Sequence, residues 1–470
     1  MSYAIPTLRI FAAACLLFSG SASLAAAPPA TADDEALASL QGGYARSVVP
    51  GEQADLYHEL LATVLQRVKR SHATEVDLAA LAAAATKVMA ALPPGMGEPA
   101  EVFKKAINEA LRTLDPHSRY LDPVAQSNAR SDAGGSFVGL GIEVQSSDGA
   151  VRVVAPMPGS PAARAGLVPG DLIVRVDDQP LGGLPLAEAI ARMRGQPGTP
   201  VSITIQRAGI ANEFTVSLTR DTIRRQLLRW SMEGEVLVLR LAGFSGAASA
   251  SLEQAIADAT AQGKTRAVVL DLRGNPGGLL REAVKVADAF LSSGEIVSLR
   301  GNTPARGRAW QADANELLVG LPMVVLVDRR SASASELVAD ALQHNGRATV
   351  MGQRSFGKGS VQTTFSLGEN KGALKLTTAI YHGPSGQTVH RIGVAPDIEL
   401  LAVTRSELAR AAPDSSQSLA NAGPPRMAKA RVDPGRCAAL KEPDPALSCA
   451  VAYLMAGSVD AFVAGLAHAP

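Results

Sequence analysis

The spacing of hydrophobic residues changes along the chain and separates it into three regions. Before residue 115, apolar residues recur every three or four positions, which predicts amphipathic helices over residues 57–68, 78–92 and 102–114. Between residues 134 and 222, short apolar runs are bounded by glycine and proline. That pattern predicts a small domain of strands and short helices.

The third region has continuous apolar runs that alternate with helical patterns. Residues 267–272 and 323–328 are short runs typical of fully buried strands, whereas residues 252–261 and 280–291 have helical spacing. Alternating strands and helices predict a right-handed α/β fold, in which reactive loops lie at the carboxyl ends of the strands.

Length and charge narrow the function classes. A chain of 470 residues exceeds one compact core, so two or three domains are expected. The formal net charge of +1 and the lack of a basic stripe argue against nucleic acid as a partner. No group of Cys, His or carboxylate residues has metal-ligand spacing, and the glycine-rich turn at 273–278 lacks the Lys-Ser/Thr of a phosphate-binding loop. We therefore expect neither a metal nor a cofactor.

Residues 1–27 have the order of a secretory signal peptide. A single positive charge at Arg9 precedes an apolar run and a small-residue cleavage site near Ala27. The alternatives are an uncleaved membrane anchor and a lipoprotein site at Cys15, although the apolar run is short for crossing about 30 Å of hydrocarbon. Residues 28–35 are then expected to be a flexible start of the mature chain.

The C-terminal part changes in composition. Residues 411–436 are rich in Ser, Pro, Ala and Gly, which predicts a linker, and residues 444–454 predict a last short helix. Export would place Cys437 and Cys449 in an oxidising compartment, where a local disulfide is favoured over two buried thiols.

The most conspicuous candidate chemistry follows the strand at 323–328. A serine-rich turn there leads into helical spacing, so a serine would stand at a helix start, facing free N–H groups and the positive end of the helix dipole. Such a serine needs a base, and Lys358 lies between glycines in a segment with few charges. Lysine acts as a base only if burial lowers its pKa from about 10.4. Locally, an N-cap and a solvated lysine explain the residues equally well.

Several motifs then occur in a fixed order: Ser-Ala-Ser-Ala-Ser-Glu at 331–336, Gly-Arg-Ala at 346–348, and Phe-Gly-Lys-Gly-Ser-Val-Gln at 356–362. Together they resemble the signature of the carboxy-terminal processing peptidases, also called tail-specific serine proteases. The resemblance implies that Ser333 is the nucleophile and Lys358 the general base. It also implies that Gln362, which shares a face with Lys358 in an extended chain, supports the lysine.

The resemblance also implies an oxyanion hole. One backbone donor is expected from Ala334 and the other from the turn that contains Gly277 and Gly278, and the sequence leaves the choice between these two glycines open. The family usually has a further glycine where this chain has Pro276, which has no N–H and cannot donate.

The small domain before the core resembles a PDZ domain of the kind that accompanies bacterial proteases. The expected substrate-binding residues are Gly139, Leu140, Gly141 and Ile142, because the glycine loop can turn its N–H groups toward a terminal carboxylate. The bound peptide would then add a strand beside residues 142–144. His117, in the phrase that precedes this domain, is expected to cap or pack a turn rather than to take part in catalysis.

The resemblance implies a multidomain α/β protein with a helical N-terminal region, a PDZ domain, an α/β peptidase core of the tail-specific protease type and a C-terminal helical segment. The expected bounds are a signal peptide at 1–27, the helical region at 28–133, the PDZ domain at 134–222, the peptidase core at 223–405, and the linker and C-terminal segment at 406–470.

The expected function is that of an exported, periplasmic serine endopeptidase that binds the free C-terminal tails of protein substrates and cleaves by Ser-Lys chemistry. An adaptor protein, association with the membrane, and a homodimer or larger homo-oligomer are compatible with the family pattern. The alternative is a catalytically inactive PDZ adaptor or chaperone on the same scaffold, although retention of Ser333, Lys358 and Gln362 together speaks against it.

Overall fold

The computed structural model describes residues 31–147, 150–224, 226–302, 307–401, 427–440 and 443–467. The predicted signal peptide and most of the predicted linker lie outside these ranges. Within them the chain forms a mixed α/β protein, which confirms the expected fold class.

The N-terminal helices pack around a core of their own. The elements of this region are α1 (Ala32–Ser47), α2 (Glu52–Ser71), α3 (Leu78–Ala90), α4 (Pro99–Arg112), β1 (Arg119–Leu121) and α5 (Pro123–Ala133). The three predicted helices are present, but the expected flexible start is wrong from Ala32 onward. Helix α1 begins at Ala32, directly after Thr31, whose side chain accepts a hydrogen bond from the N–H of Asp34 and caps the helix.

The region expected to be a PDZ domain follows as an antiparallel sheet with short helices. Its elements are β2 (Ser136–Gly139), β3 (Ile142–Ser147), β4 (Ala150–Pro156), α6 (Pro161–Arg164), β5 (Leu172–Val176), β6 (Gln179–Pro180), α7 (Leu186–Met193), β7 (Pro200–Gln206), β8 (Phe214–Thr219) and β9 (Asp221–Arg224). The main sheet has the order β3-β4-β5-β7-β8, so β3 is an edge strand. Strands β2 and β9 pair with each other and connect the domain to the rest of the chain.

The expected peptidase core and C-terminal segment follow. They comprise β10 (Leu228–Glu233), β11 (Val236–Leu241), α8 (Ala248–Gln262), β12 (Ala267–Asp271), α9 (Leu280–Asp288), β13 (Glu295–Arg300), β14 (Arg308–Gln311), β15 (Met323–Val327), α10 (Ala334–His344), β16 (Thr349–Gly352), β17 (Ser360–Ser366), β18 (Ala373–His382), β19 (Ile398–Leu400), β20 (Ala430–Val432), a 3₁₀ turn (Pro434–Arg436), α11 (Pro445–Ala456) and α12 (Val459–Ala467).

Two sheets position the candidate site. The larger has the order β10-β11-β12-β15-β16-β19-β20 and is parallel except for β10. Because β12 and β15 are parallel neighbours, the loops that follow them meet at one edge, as expected for an α/β fold. The second sheet contains β1, β18, β13 and β14, with β17 paired to β18. The N-terminal region, predicted as helical, thus contributes β1 to a sheet of the peptidase core.

The C-terminal segment is attached more closely than a linker would be. Residues 430–432 form β20, which pairs with β19, so the linker prediction is wrong for this stretch. Cys437 and Cys449 form a disulfide. Arg273 binds both Asp271 and Asp444 through paired hydrogen bonds, which tie the start of α11 to the loop after β12. Among the described helices, none alone is long and apolar enough to span a membrane, and α11 and α12 meet that test only as a pair bent by 116°.

Candidate active site

A cavity of about 1130 Å³ lies between the PDZ domain and the peptidase core. The sequence-predicted catalytic and oxyanion residues all line it: Ser333, Lys358, Gln362, Ala334, Gly277 and Gly278. The region expected to be a PDZ domain contributes Met157, Gly159 and Ser160 to the lining of the same cavity. Residues far apart in sequence therefore face one space that is large enough for an extended peptide.

Ser333 has an unusual backbone conformation for a residue with a side chain. It stands immediately before α10 with φ 56° and ψ −113°, and positive φ is costly for residues other than glycine. Its neighbours in the 331–336 segment are buried, whereas Ser333 is partly exposed. Its carbonyl accepts a 3.0 Å hydrogen bond from the hydroxyl of Tyr381, which is buried. The turn thus presents Ser333 to the cavity while tertiary contacts hold its strained backbone.

Glu336 joins the two predicted catalytic residues through their backbones. Its carboxylate is fully buried and accepts four hydrogen bonds. One oxygen accepts from the N–H of Ser333 at 2.7 Å and of Lys358 at 2.8 Å, and the other accepts from the hydroxyl of Ser355 and the N–H of Gly357, both at 2.6 Å. The backbone nitrogens of Ser333 and Lys358 are therefore no farther apart than the sum of two hydrogen bonds.

Replacing Glu336 by glutamine should destabilise the protein and weaken the site. A glutamine side chain has one acceptor oxygen, so its NH₂ group would face two of the four donors and leave them buried without partners. We expect a loss of about 2–6 kcal/mol in the free energy of unfolding, since each of the two unpaired donors costs about 1–3 kcal/mol. Chemical denaturation measures this loss. Glu253→Gln on the exposed face of α8 is the matched control. If Glu336→Gln were as stable as the wild type, the four hydrogen bonds to the Glu336 carboxylate would not hold the site together.

The electrostatic environment of Lys358 suits a base. Burial lowers the pKa of its ammonium group below the ordinary lysine value, and the positive charge of Arg119 lowers it further, while Asp115 and Glu336 act in the opposite direction. No salt bridge or hydrogen bond involves the Lys358 side chain in the part of the chain that the structure describes. Lys358 therefore loses its proton, and becomes able to act as a base, at a lower pH than a solvated lysine does.

The structure does not join the predicted catalytic side chains directly. Across the described residues, no hydrogen bond links Lys358 to Ser333 or to Gln362. The amide of Gln362 instead donates to Ser360 at 2.9 Å and to Thr377 at 3.3 Å. The expectation of a shared face assumed an unbroken extended chain, but β17 begins at Ser360 and has an irregularity in register between Val361 and Gln362.

Asp115 extends this arrangement, and sequence reasoning did not identify it. Its carboxylate accepts from the hydroxyls of Ser118 at 2.6 Å and Thr377 at 3.0 Å, and it lies 3.2 Å from the ring of His72. Burial alone would raise the pKa of Asp115, but these hydrogen bonds and those from backbone N–H groups hold it well below the usual range. Gln362 is thus connected through Thr377 to a carboxylate that stays ionised.

His117 lies in the same neighbourhood. Burial lowers the pKa of its imidazole and the charge of Lys358 lowers it further, so the two side chains are electrostatic neighbours. The residue lies in a turn, where its backbone N–H donates to Asp115 at 2.7 Å, and the expectation that it takes no part in catalysis stays a prediction. In the sequence, only the resemblance of the 115–121 segment to the family pointed to the closeness of His117 and Lys358.

The two glycines of the oxyanion turn differ in what their N–H groups bind. The N–H of Gly277 donates to the side chain of Asn275 at 2.9 Å. In the described part of the chain, the N–H groups of Gly278 and Ala334 donate no hydrogen bond. Gly277 also packs tightly here, since a Cβ at this residue would lie 2.8 Å from the Cβ of Ser333 and 2.9 Å from the nitrogen of Ala334.

The predicted carboxylate-binding loop starts the PDZ sheet. Gly139 ends β2, Leu140 is buried in the domain core, and Ile142 begins the edge strand β3. Gly141 has φ +70°, and a Cβ there would lie 2.3 Å from the Cβ of Ser160. Among the described hydrogen bonds, none uses the N–H of Leu140 or Gly141 as donor. These loop residues adjoin the cavity without lining it.

Comparison with known proteins agrees with this organisation. The model of peptidase family S41 matches residues 235–400, and a PDZ-domain model matches residues 152–207. The carboxy-terminal-processing protease of Bartonella bacilliformis is 44% identical over 301 residues, which cover 63% of this chain and 69% of that protein.

More distant relatives have similar names. A probable CtpA-like serine protease of Staphylococcus saprophyticus is 35% identical over 299 residues, which cover 63% of this chain and 60% of that protein. The solved structure of a photosystem II D1 C-terminal processing protease is 28% identical, with a TM-score of 0.48 over 78% of this chain and 99% of that chain. The identity and coverage of the Bartonella protein, together with the two family models, show that this chain belongs to the carboxy-terminal-processing proteases of peptidase family S41 and carries a PDZ domain.

Proposed function

We propose that this protein is an exported serine endopeptidase that captures the C-terminal tails of protein substrates and cleaves them through an acyl-enzyme. The observation that carries the proposal is the position of Ser333 and Lys358, which line one cavity and donate from their backbones to the same oxygen of Glu336. Family membership supports protease activity, and the residue roles are those that the family resemblance implies for Ser333 and Lys358.

In the proposed reaction, the Oγ of Ser333 attacks the substrate carbonyl carbon while its proton passes to the neutral amine of Lys358. Lys358 then returns that proton to the leaving amine, and the peptide bond breaks to leave an ester on Ser333. A water molecule, deprotonated by the same amine, then attacks the ester carbon, and Lys358 returns this proton to the Oγ of Ser333 as the ester bond breaks. Gln362, which is held by Thr377 and, beyond it, by Asp115, lines the same cavity as Lys358 and would support it from there without a hydrogen bond between them in the described part of the chain.

The developing oxyanion would be bound by the N–H groups of Ala334 and Gly278. Both are without a hydrogen bond in the described residues, whereas that of Gly277 is already used by Asn275. Two preorganised donors lower the barrier by several kcal/mol, since removing one costs about 3–4 kcal/mol. Gly277 would serve as the close-packed floor beneath Ser333 and not as a donor.

The PDZ domain would bind a substrate tail and control access to the cavity. Strand β3 has a free edge for an added strand, and the N–H groups of Leu140 and Gly141 suit a terminal carboxylate. Because Met157, Gly159 and Ser160 form a wall of the same cavity, tail binding and opening of the groove would be coupled. Export is supported by the signal-like order of residues 1–27 and by the disulfide.

A tailed substrate should be cleaved by the wild type, and Gly141→Ala should reduce this cleavage about tenfold. The added methyl would meet Ser160 and distort a loop that requires positive φ, so a tail would bind poorly. Electrophoresis and mass spectrometry of an unfolded protein with a free C-terminus measure the rate and the products. Gly166→Ala is the matched control for Gly141→Ala, since Gly166 also has a positive φ, +74°, but has open space around its Cβ position. Equal losses in both variants would argue against tail capture, and an inert wild type would refute the peptidase itself.

A further inference from the structure

The face of the second sheet that borders the cavity carries two positive charges beyond Lys358. Thr364 on β17 is opposite Lys375 on β18, which is opposite Arg119 on β1. Residues directly opposite in neighbouring antiparallel strands have side chains on the same face, within about 5.5 Å at Cβ. Lys375 and Thr364 both line the cavity with Ser333. A row of one hydroxyl and two cations therefore crosses the sheet next to the catalytic residues.

The opposite face of these strands is committed to a hydrophobic core. Leu374 and Leu376 flank Lys375 along β18 and, with Tyr120 of β1, are buried among the N-terminal helices. Strand alternation therefore directs Lys375 and Arg119 away from that core. Lys375 is partly buried and lines the cavity, whereas Arg119 is exposed beside it and does not line the cavity. The sheet holds the backbones of both cations in place.

Neither cation is neutralised by the protein. In the described part of the chain, Lys375 and Arg119 take part in no salt bridge and no side-chain hydrogen bond. The two nearby carboxylates are fully engaged: Glu336 has four donors, and Asp115 is held by Ser118, Thr377 and backbone N–H groups. Burial, together with the charges of Arg119 and Lys358, lowers the pKa of Lys375.

A partly buried cation with no counter-charge is costly, and it becomes favourable when an anion completes it. We propose that Lys375 and Thr364, with the neighbouring charge of Arg119, form a subsite of the cleavage groove that binds a carboxylate of the substrate a few residues from the scissile bond. This inference rests on the proposed function, since it assigns a specificity determinant to the same groove. The carboxylate is either the terminal one of a short tail or the side chain of an Asp or Glu.

The subsite is distinct from the carboxylate-binding loop of the PDZ domain. That loop lies at residues 139–142 and does not line the cavity, whereas Lys375 and Thr364 do. A substrate would then be recognised at two places. The PDZ domain would bind its C-terminal tail, and the subsite in the groove would bind a carboxylate nearer the scissile bond. Acidic or short-tailed substrates would be preferred over neutral ones of equal length.

The test compares short peptides that differ only in charge. One pair has a free or an amidated C-terminus, and a second, amidated pair has Glu or Gln near the cleavage site. We expect Lys375→Met to lower kcat/KM about tenfold or more for the charged member of at least one pair, because hydrogen bonds to charged groups contribute about 1.5–3 kcal/mol. The neutral members should change much less, and Lys375→Arg should restore the preference. The ratio within a pair cancels any effect of Lys375 on the pKa of Lys358.

Lys371→Met is the matched control, since it removes the same charge from the loop before β18 without touching the cavity. Loss of preference in the first pair would identify the terminal carboxylate as the ligand, and loss in the second would identify an acidic side chain. The same charged-to-neutral ratio in the wild type and Lys375→Met, for both pairs, would overturn the subsite. If the wild type cleaves neither member of any pair nor an unfolded protein, the proposed function itself fails.

Discussion

Ser333→Ala should lose about 10⁴-fold or more in kcat/KM on an unfolded protein substrate, because it removes the proposed nucleophile that forms the acyl-enzyme. The residual rate would reflect binding and the oxyanion donors alone. The variant should fold normally, since the backbone of Ser333 stays held by its N–H, which donates to Glu336, and by its carbonyl, which accepts from the hydroxyl of Tyr381. We expect its thermal midpoint to stay within about 2 °C of the wild type.

Ser366→Ala is the control for this result. Ser366 is an exposed serine at the end of β17, in the same sheet as the site but outside the cavity, so its loss should leave the rate unchanged. Cleavage that persists in Ser333→Ala would remove that residue from the reaction. If the wild type binds tailed peptides but leaves the substrate as intact as Ser333→Ala does, the chain is instead the PDZ adaptor on an inactive scaffold.

The parts of the site that lie in short continuous motifs could be predicted from the sequence. Ser333, Lys358 and the Gly277-Gly278 turn each follow a recognisable strand or glycine pattern, and the parallel pairing of β12 with β15 brings the first and third of these to one sheet edge. The buried strands and amphipathic helices were identifiable because their hydrophobic period is set by local geometry. Family resemblance then supplied the roles, which remain predictions.

The supporting contacts could not be predicted, because they depend on tertiary pairing. Glu336 has a place in the serine motif, yet nothing in the sequence says that it bonds to the backbone of Lys358. Arg119 lies opposite Lys375 only because β1 pairs with β18. Hydrophobic periodicity predicts local structure and cannot predict the pairing of strands so far apart in the sequence. The orientation of Gln362 depends on an irregularity in β17 that alternation does not reveal.

Lys358→Met should abolish cleavage while stabilising the fold. Methionine keeps the length of the side chain but cannot take the proton of Ser333, so kcat/KM should fall about 10⁴-fold. The folded state lowers the pKa of Lys358, so at neutral pH the unfolded chain binds this proton more tightly than the folded one does. Removing the amine therefore removes a cost of folding, and thermal unfolding should show a midpoint at or above that of the wild type. A clear loss of stability would mean that Lys358 has a structural role.

The pH dependence of the wild type tests the same residue without mutation. Only the neutral amine can act as base, so kcat/KM should rise with pH through an apparent pKa below the ordinary lysine value of about 10.4. Lys358→Arg should be inactive at every pH, because a guanidinium stays protonated, whereas Lys371→Met should reproduce the wild-type profile. A rate that climbs only near pH 10 would mean that the cavity does not lower the pKa of Lys358, and the lysine would then be too rarely neutral to serve Ser333 at physiological pH.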